Sequence, residues 1–240
     1  VTVLTQQNAP SIVVSEVFGP TLQGEGRNLG QRAAFVRLGG CNLHCSWCDT
    51  PYTWDASRFD LHKEMRRVPV STVVTQVAAM NPNVVVVTGG EPLLWRGHAG
   101  WDALIPELAA IGPVEVETNG TQFPGAEQVA CYNVSPKLAH AGDPEERRIN
   151  RDVLSAFAEL AHAGRAILKV VVTNPEDVRA GAQLARETSW PMSTVYVMPE
   201  GTSPLMLALR HAMVANAVLD EGVNMTTRLH VLCWNTERGR

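Results

Sequence analysis

Cysteine stands at positions 41, 45 and 48, in the run Cys41-Asn42-Leu43-His44-Cys45-Ser46-Trp47-Cys48. Gaps of three residues and then two let three thiolates converge on one soft metal centre, and no fourth cysteine lies nearby to complete the shell. Iron–sulfur clusters are normally closed by four thiolates and structural zinc is fully enclosed, so an open position suits a centre that binds substrate or cofactor. An open iron can be chelated by the amino and carboxylate groups of a methionine-type ligand. The cysteines alone also fit a structural zinc completed by a distant histidine, Cys131 or Cys233, or free thiols in a reducing compartment.

Apolar β-branched runs alternate with stretches of helical periodicity, which predicts βα units around a largely parallel sheet. Strands are expected near 12–18, 33–38, 84–88, 113–117, 131–134, 166–172, 194–198 and 227–232. Helices are expected near 71–80, 101–110, 150–162, 176–187 and 204–219, with Ser71, Asn150 and Ser203 as N-caps and Pro175 and Pro204 in first turns. The unusual polar residues then fall after strands: the cysteine run after Leu38, Thr88-Gly89-Gly90-Glu91-Pro92 after Val87, Glu117-Thr118-Asn119-Gly120 after Val116, Ser135-Pro136-Lys137 after Val134, and Met198-Pro199-Glu200-Gly201 after Val197. In a parallel barrel those ends share one face, where loops build active sites. Residues 57–69 read as a charged excursion: a solvated segment first, a lid or reductase-docking surface second.

The 240 residues, 45% of them hydrophobic, predict a single domain over 1–240 with its core at about 12–232. Twenty basic against 24 acidic residues leave a net charge of −4, which argues against nucleic acid as a ligand. Apolar runs such as Val84–Val87 have strand length, not membrane-span length, and the first residues resemble no leader, so a cytoplasmic protein without membrane contact is expected. Five cysteines, an odd number with three crowded together, fit a reducing compartment better than a disulfide framework.

The cysteine run resembles the CxxxCxxC signature of radical S-adenosylmethionine enzymes, with Trp47 where an aromatic would pack near the adenine, and Thr88–Pro92 resembles their second signature. Glycines there let the backbone approach a ligand's ammonium and offer it carbonyl acceptors. Phe18-Gly19-Pro20-Thr21-Leu22-Gln23-Gly24-Glu25-Gly26, Phe35–Cys41, Cys48-Asp49-Thr50, Thr88–Pro92, Glu117–Thr121 and Ser135-Pro136-Lys137 together resemble the 7-carboxy-7-deazaguanine synthase family, over residues 18 to about 232.

The resemblance implies a partial (β/α) barrel that turns 6-carboxy-5,6,7,8-tetrahydropterin into 7-carboxy-7-deazaguanine with loss of ammonia. It implies Cys41, Cys45 and Cys48 as ligands of a 4Fe-4S cluster. Trp47, Asp49, Gly90, Ser135, Pro136, Lys137 and Met198 would contact S-adenosylmethionine, and Thr50 would hold Mg2+. Leu22, Gln23, Gly24, Arg37, Thr88 and His230 would contact the pterin, Arg37 through its carboxylate. An electron donor such as flavodoxin or ferredoxin and a homodimer are implied too, while no general base or protein nucleophile is assigned. Taken alone, Arg37 reads as a structural ion pair, Gln23 as a loop amide, Thr50 as a turn cap before Pro51, and His230 as a core histidine in an apolar strand. Some members of the family place a terminal carboxylate near the substrate shortly after this histidine; here the chain runs on through Cys233, Trp234 and Asn235 to Arg240, and that contact is not carried over. Two alternatives remain: an activase that generates a glycyl radical on a partner protein, and a zinc or iron–sulfur module serving structure.

Overall fold

Val84–Val87 form a strand buried on both faces, as strands of a covered parallel sheet must be. The computed structural model describes residues 9–125 and 127–240; the expected absence of a leader falls on residues 1–8, outside them. Its strands are β1 (Ser11–Leu22), β2 (Arg32–Leu38), β3 (Arg66–Pro69), β4 (Val84–Gly89), β5 (Val114–Thr118), β6 (Val129–Val134), β7 (Ala166–Val172), β8 (Val195–Pro199) and β9 (Asn224–Met225). They form one sheet in the order β3-β1-β2-β4-β5-β6-β7-β8-β9. Pairing is parallel from β2 to β9, and β1 runs antiparallel to both β2 and β3. The outermost strands β3 and β9 do not pair, so the barrel is partial.

The helices are α1 (Leu61–Glu64), α2 (Val70–Ala79), α3 (Ala99–Ala109), α4 (Glu145–Arg148), α5 (Arg151–His162), α6 (Pro175–Glu187), α7 (Pro204–Glu221) and α8 (Leu229–Trp234). In α5 the side chains of Val153, Leu154, Phe157, Ala158 and Ala161 are buried, the stripe that a sheet-covering helix presents. Asn150, Asn174 and Ser203 accept from backbone N–H groups at 3.2, 2.9 and 3.3 Å and start α5, α6 and α7; Pro175 and Pro204 follow in first turns. No described helix is long and apolar enough to cross a membrane.

Three expectations are corrected. Ser71 is not an N-cap: α2 begins at Val70 after Pro69, whose ring has no cap oxygen. Residues 66–69 of the supposed excursion are the edge strand β3, registered from Ser11↔Pro69 to Val14↔Arg66. Residues 227–232 are not a strand, because Leu229–Trp234 is helical; the apolar run is too short to distinguish the two by periodicity.

Alternation along the strands aims the site. On β2, Ala34, Val36 and Leu38 join the main core, and Phe35 and Arg37 line a cavity. On β5, Val114 and Val116 face the helices, which turns Glu115 and Glu117 inward, and on β7 Lys169 lies between core residues Leu168 and Val170. An extra residue in β1 between Val14 and Glu16 sets Glu16 opposite Arg37, and Phe18 opposite Phe35 with rings stacked at 4.9 Å.

Candidate active site

One cavity of about 660 Å³ opens at the C-terminal ends of the parallel strands. Three loops that build it are tied together. Glu91, fully buried, accepts from Leu93 N–H (2.9 Å), Asn119 N–H (2.6 Å) and Thr118 Oγ1 (2.8 Å), which joins the glycine turn after β4 to the turn after β5. Burial pushes its carboxyl above the usual value, against those donors and the charge of Lys137. Asn119 Nδ2 donates to Asn42 Oδ1 (3.0 Å), and Asn42 Nδ2 to Thr121 Oγ1 (2.8 Å), joining the cysteine loop as well.

Cys41, Cys45 and Cys48 are unpaired thiols that line the cavity. Among the described residues no three His, Cys, Asp or Glu side chains converge on a position for a single ion. Three free thiols that leave one position open are the donor set of a cluster that also binds a cofactor. Burial pushes the Cys41 thiol up to about 12 and raises Cys45 against the pull of Lys137. Loss of these protons is thus coupled to arrival of metal charge. Beside them, the Trp47 ring stacks on His140 (5.7 Å) and carries Lys137 Nζ at 5.4 Å from its centroid, while its buried indole N–H has no partner among the described residues. A Cβ on Gly90 would overlap the Gly40 carbonyl, so a bare backbone fits closely here. An orphaned donor, a close glycine backbone and three free thiols fit a cluster and its nucleoside cofactor.

Of the other residues expected at the site, Leu22, Gln23, Gly24, Arg37, Asp49, Thr50, Thr88, Ser135, Lys137, Met198 and His230 line the same cavity. Pro136 does not; it is buried behind, between Ser135 and Lys137, whose ammonium donates to Ser135 Oγ at 3.0 Å. Gln23 Nε2 donates to Glu115 Oε2 at 3.0 Å and its Oε1 accepts from Glu25 N–H at 3.3 Å, so its amide is largely committed to the protein. Arg37 Nε donates to Glu16 at 3.0 Å, the structural ion pair the sequence allowed, yet its two terminal nitrogens have no partner among the described residues. Thr88 Oγ1 donates to Glu117 at 3.0 Å, and Thr50 Oγ1 lies 3.8 Å from Cys48 Sγ. His230 sits on α8, held by the bond from Leu229 N–H to Gly24 O (2.8 Å), and its ring fills the space a Cβ on Gly24 would need. Burial lowers its pKa, against the pull of Glu25, so the imidazole is neutral at pH 7.

Sequence reasoning missed the ionic floor of the site. Glu25 pairs with Lys169 and, at 3.3 Å, with Arg228; Lys169 also lies 3.7 Å from Glu117, and Arg228 reaches Asp49. The signal was present: a lysine inside Ala-Ile-Leu-Lys-Val-Val-Val and two glutamates alternating with valine in β5. Burial alone would raise Glu25, but Lys169 and Arg228 outweigh it and hold the carboxyl well below its usual 4.5; Lys169 is raised above 10.5, its partners outweighing burial. The depressed acid stabilises the fold above about pH 4.5 and loses this as pH falls; the raised base stabilises it below about pH 10.5 and loses this as pH rises. Lys169→Met is expected to cost about 2 kcal/mol at pH 7, because Glu25 keeps only Arg228. The difference from wild type in thermal unfolding should shrink as pH falls, because Glu25 held by Arg228 alone protonates more readily than in wild type; a pH-independent difference would assign the loss to packing.

Residues 35–207 match the Radical SAM superfamily. The chain is similar to 7-carboxy-7-deazaguanine synthase of Pyrobaculum aerophilum, 38% identical over 96% of this chain and 98% of that one. It is similar to the enzymes of that name from Halobacterium salinarum (36% identical; 95% and 92% covered) and Bacillus subtilis (27%; 96% and 99%). Its fold is like that of the crystal structure of QueE from Escherichia coli, with a TM-score of 0.67 at 22% identity over 92% of this chain and 95% of that one. Neither the activase nor the structural metal module is favoured by these relatives. Identity at this level along nearly the whole of both chains decides the assignment: this chain belongs to the 7-carboxy-7-deazaguanine synthase family of radical S-adenosylmethionine enzymes, which use a 4Fe-4S cluster and S-adenosylmethionine.

Proposed function

We propose that this chain converts 6-carboxy-5,6,7,8-tetrahydropterin to 7-carboxy-7-deazaguanine with loss of ammonia, in 7-deazapurine (queuosine-type) biosynthesis. The observation that carries the reading is that three cysteines and the free edge of Arg37 open on one cavity of about 660 Å³, a volume suited to a cofactor and a bicyclic substrate together. Cys41, Cys45 and Cys48 would hold the cluster. Trp47, Asp49, Gly90, Ser135, Lys137 and Met198 would hold S-adenosylmethionine, with Pro136 fixing the turn between two of them. Thr50 would contribute a hydroxyl to Mg2+, a hard ion that keeps several waters and takes substrate oxygens. When bound, the cluster and S-adenosylmethionine supply hydrogen-atom abstraction by a one-electron route.

The chain's own part is binding and orientation. The two terminal nitrogens of Arg37 match a planar carboxylate, and Glu16 holds the guanidinium from behind. Leu22, Gln23 and Gly24 form a wall made firm by the bond from Gln23 to Glu115, and Thr88, fixed by Glu117, presents its oxygen. Neutral His230 can donate or accept at the heterocycle's edge. An external electron donor such as flavodoxin or ferredoxin completes the system. The cytoplasm suits five free cysteines. A homodimer is supported by the exposed apolar side chains Leu205, Leu209 and Met213, four residues apart on α7.

The test is anaerobic reconstitution with iron and sulfide, then addition of S-adenosylmethionine, magnesium, reductant and the pterin, with the deazapurine read by mass spectrometry. Cleavage of S-adenosylmethionine without product would remove the substrate assignment alone. Arg37→Gln is expected to raise KM for the pterin about 30-fold, about 2 kcal/mol of lost charge-assisted bonding, while reductive cleavage of S-adenosylmethionine continues. An unchanged KM would remove Arg37 from the carboxylate site.

A further inference from the structure

Residues 235–240 line the cavity beside the substrate-facing residues, although nothing in their composition marks them as part of a site. The chain leaves α8 at Asn235, whose positive φ of 56° turns the backbone away from the helix axis. Asn235 N–H and Glu237 N–H then bond back to Val231 O (2.9 Å) and Trp234 O (3.2 Å), and among the described residues Arg240 pairs only with Glu237.

Among the described residues, the polar contacts that tie residues 236–240 to the barrel all belong to one side chain. Arg238 Nε donates to Glu16 Oε1 on β1, its Nη2 donates to Glu64 Oε2 of α1 at 2.9 Å, and its guanidinium lies over the Tyr52 ring at 3.8 Å. Planar stacking together with two carboxylates is a geometry that arginine can satisfy and lysine cannot.

Glu16 is what links this latch to the substrate. Its other oxygen, Oε2, accepts from Arg37 Nε (3.0 Å) and from Tyr52 Oη (3.1 Å). Arg238 and Arg37 thus grip opposite oxygens of one carboxylate, and Tyr52 touches both the carboxylate and the stacked guanidinium. With Oε1 taken, Glu16 presents one oxygen to Arg37 and engages Nε alone. The two terminal nitrogens are left for an anion in the cavity. Without Arg238, the carboxylate is free to turn and take a terminal nitrogen of Arg37 as well, in competition with the substrate. The Phe18 ring lies 5.6 Å from the Arg37 guanidinium, and a Cβ on Gly239 would stand 4.0 Å from Phe18 Cβ, so the same segment also passes close to Phe18.

We propose that Arg238 is a positioning residue: it latches residues 235–240 along the cavity and, by holding one oxygen of Glu16, keeps the outer edge of Arg37 turned to the substrate's carboxylate. The inference rests on the reading of Arg37 as the carboxylate site. It makes residues 235–240 part of the apparatus that selects a carboxylated heterocycle over its uncarboxylated analogue.

The test uses the reconstituted holoenzyme with Arg238→Gln, Arg238→Lys and Glu64→Gln, the last loosening the latch without touching Glu16. Amide hydrogen exchange of the peptide covering residues 233–240 is measured alongside KM and kcat for the pterin and KM for S-adenosylmethionine. Arg238→Gln is expected to speed exchange of that peptide and raise KM for the pterin about tenfold, with kcat within about threefold and KM for S-adenosylmethionine unchanged. Arg238→Lys should recover part of the KM effect. Glu64→Gln should speed exchange with a smaller rise in KM. Unchanged exchange in Arg238→Gln would overturn the latch, and a fall in kcat at constant KM would overturn the link to Arg37. If wild type does not turn over the pterin, the functional reading fails and the exchange experiment still decides the latch.

Discussion

Cys48→Ala is expected to give a folded, colourless protein that makes no product. The loop around it should keep its shape, because its anchors are elsewhere: His44 N–H bonds Asp143 at 2.7 Å, Ser46 N–H bonds Ala141 O at 2.9 Å, and Gly40 N–H bonds Thr53 O at 2.8 Å. Cys48 itself is only partly buried and lies outside the hydrophobic clusters, so removing its sulfur costs little beyond the bond that Sγ accepts from Trp54 Nε1 at 3.4 Å. On the proposed ligand set, what is lost is one of three thiolates, and a cluster held by fewer than four protein ligands has none to spare. No described side chain provides one-electron chemistry in its place, so turnover should fall by at least about 10⁴-fold, or about 5.5 kcal/mol of barrier. Cys233→Ser, on the exposed face of α8, should retain both colour and activity. The checks are visible absorption, iron content and product formation; a full iron complement in Cys48→Ala would show that this sulfur is not a ligand.

The sheet was legible because its strands carry the pattern of burial on both faces: Val84–Val87 and Ile167–Val172 can hardly be anything else. The cysteine loop was legible because its chemistry depends on residue type and local spacing. Elements that depend on distant partners were not. β3 is charged and short, and becomes a strand only because β1 offers it an edge. Residues 229–234 carry an apolar run compatible with strand or helix, and the bond from Leu229 N–H to Gly24 O, across more than two hundred residues, fixes the choice.

Side-chain roles divide in the same way. Arg37 was read as either an ion pair or a substrate contact, and both are available at once, since Nε is bound to Glu16 and the outer edge is not. Gln23 was read as either a loop amide or a substrate contact; it lines the cavity, and its amide also binds Glu115, a partner 92 residues away that its local sequence cannot reveal. Arg238 drew no attention and Glu64 was read only as part of the charged segment 57–69, because each is a surface-type residue whose meaning arises only when the fold brings Arg238 between Glu64 and Glu16.

Gly90→Ala is expected to weaken cofactor binding while leaving the cysteines in place. A methyl group at this position meets the Gly40 carbonyl oxygen and approaches Cys41 Cβ to 2.8 Å. Neither obstacle can rotate away, because one is backbone and the other is a Cβ, which is fixed by its own backbone. The Gly40 carbonyl is also committed, accepting from Glu91 N–H at 2.8 Å, and Glu91 in turn binds the next loop through Thr118 and Asn119. With the cysteine loop held, relief of the clash moves the glycine turn, and with it the backbone carbonyls proposed to meet the cofactor's ammonium. Affinity for S-adenosylmethionine and turnover should each fall by about 100-fold, since misplacement of about 1 Å is enough for a loss of this order. Gly112→Ala is the matched control: its new methyl would come no closer than 3.8 Å to the Asn83 carbonyl and its φ is ordinary, so near-wild-type behaviour is expected. Anaerobic equilibrium dialysis of S-adenosylmethionine and iron content decide the matter. Wild-type affinity in Gly90→Ala would mean that the turn does not contact the cofactor, and loss of iron in that variant would mean that the clash resolves by displacing the cysteine loop instead.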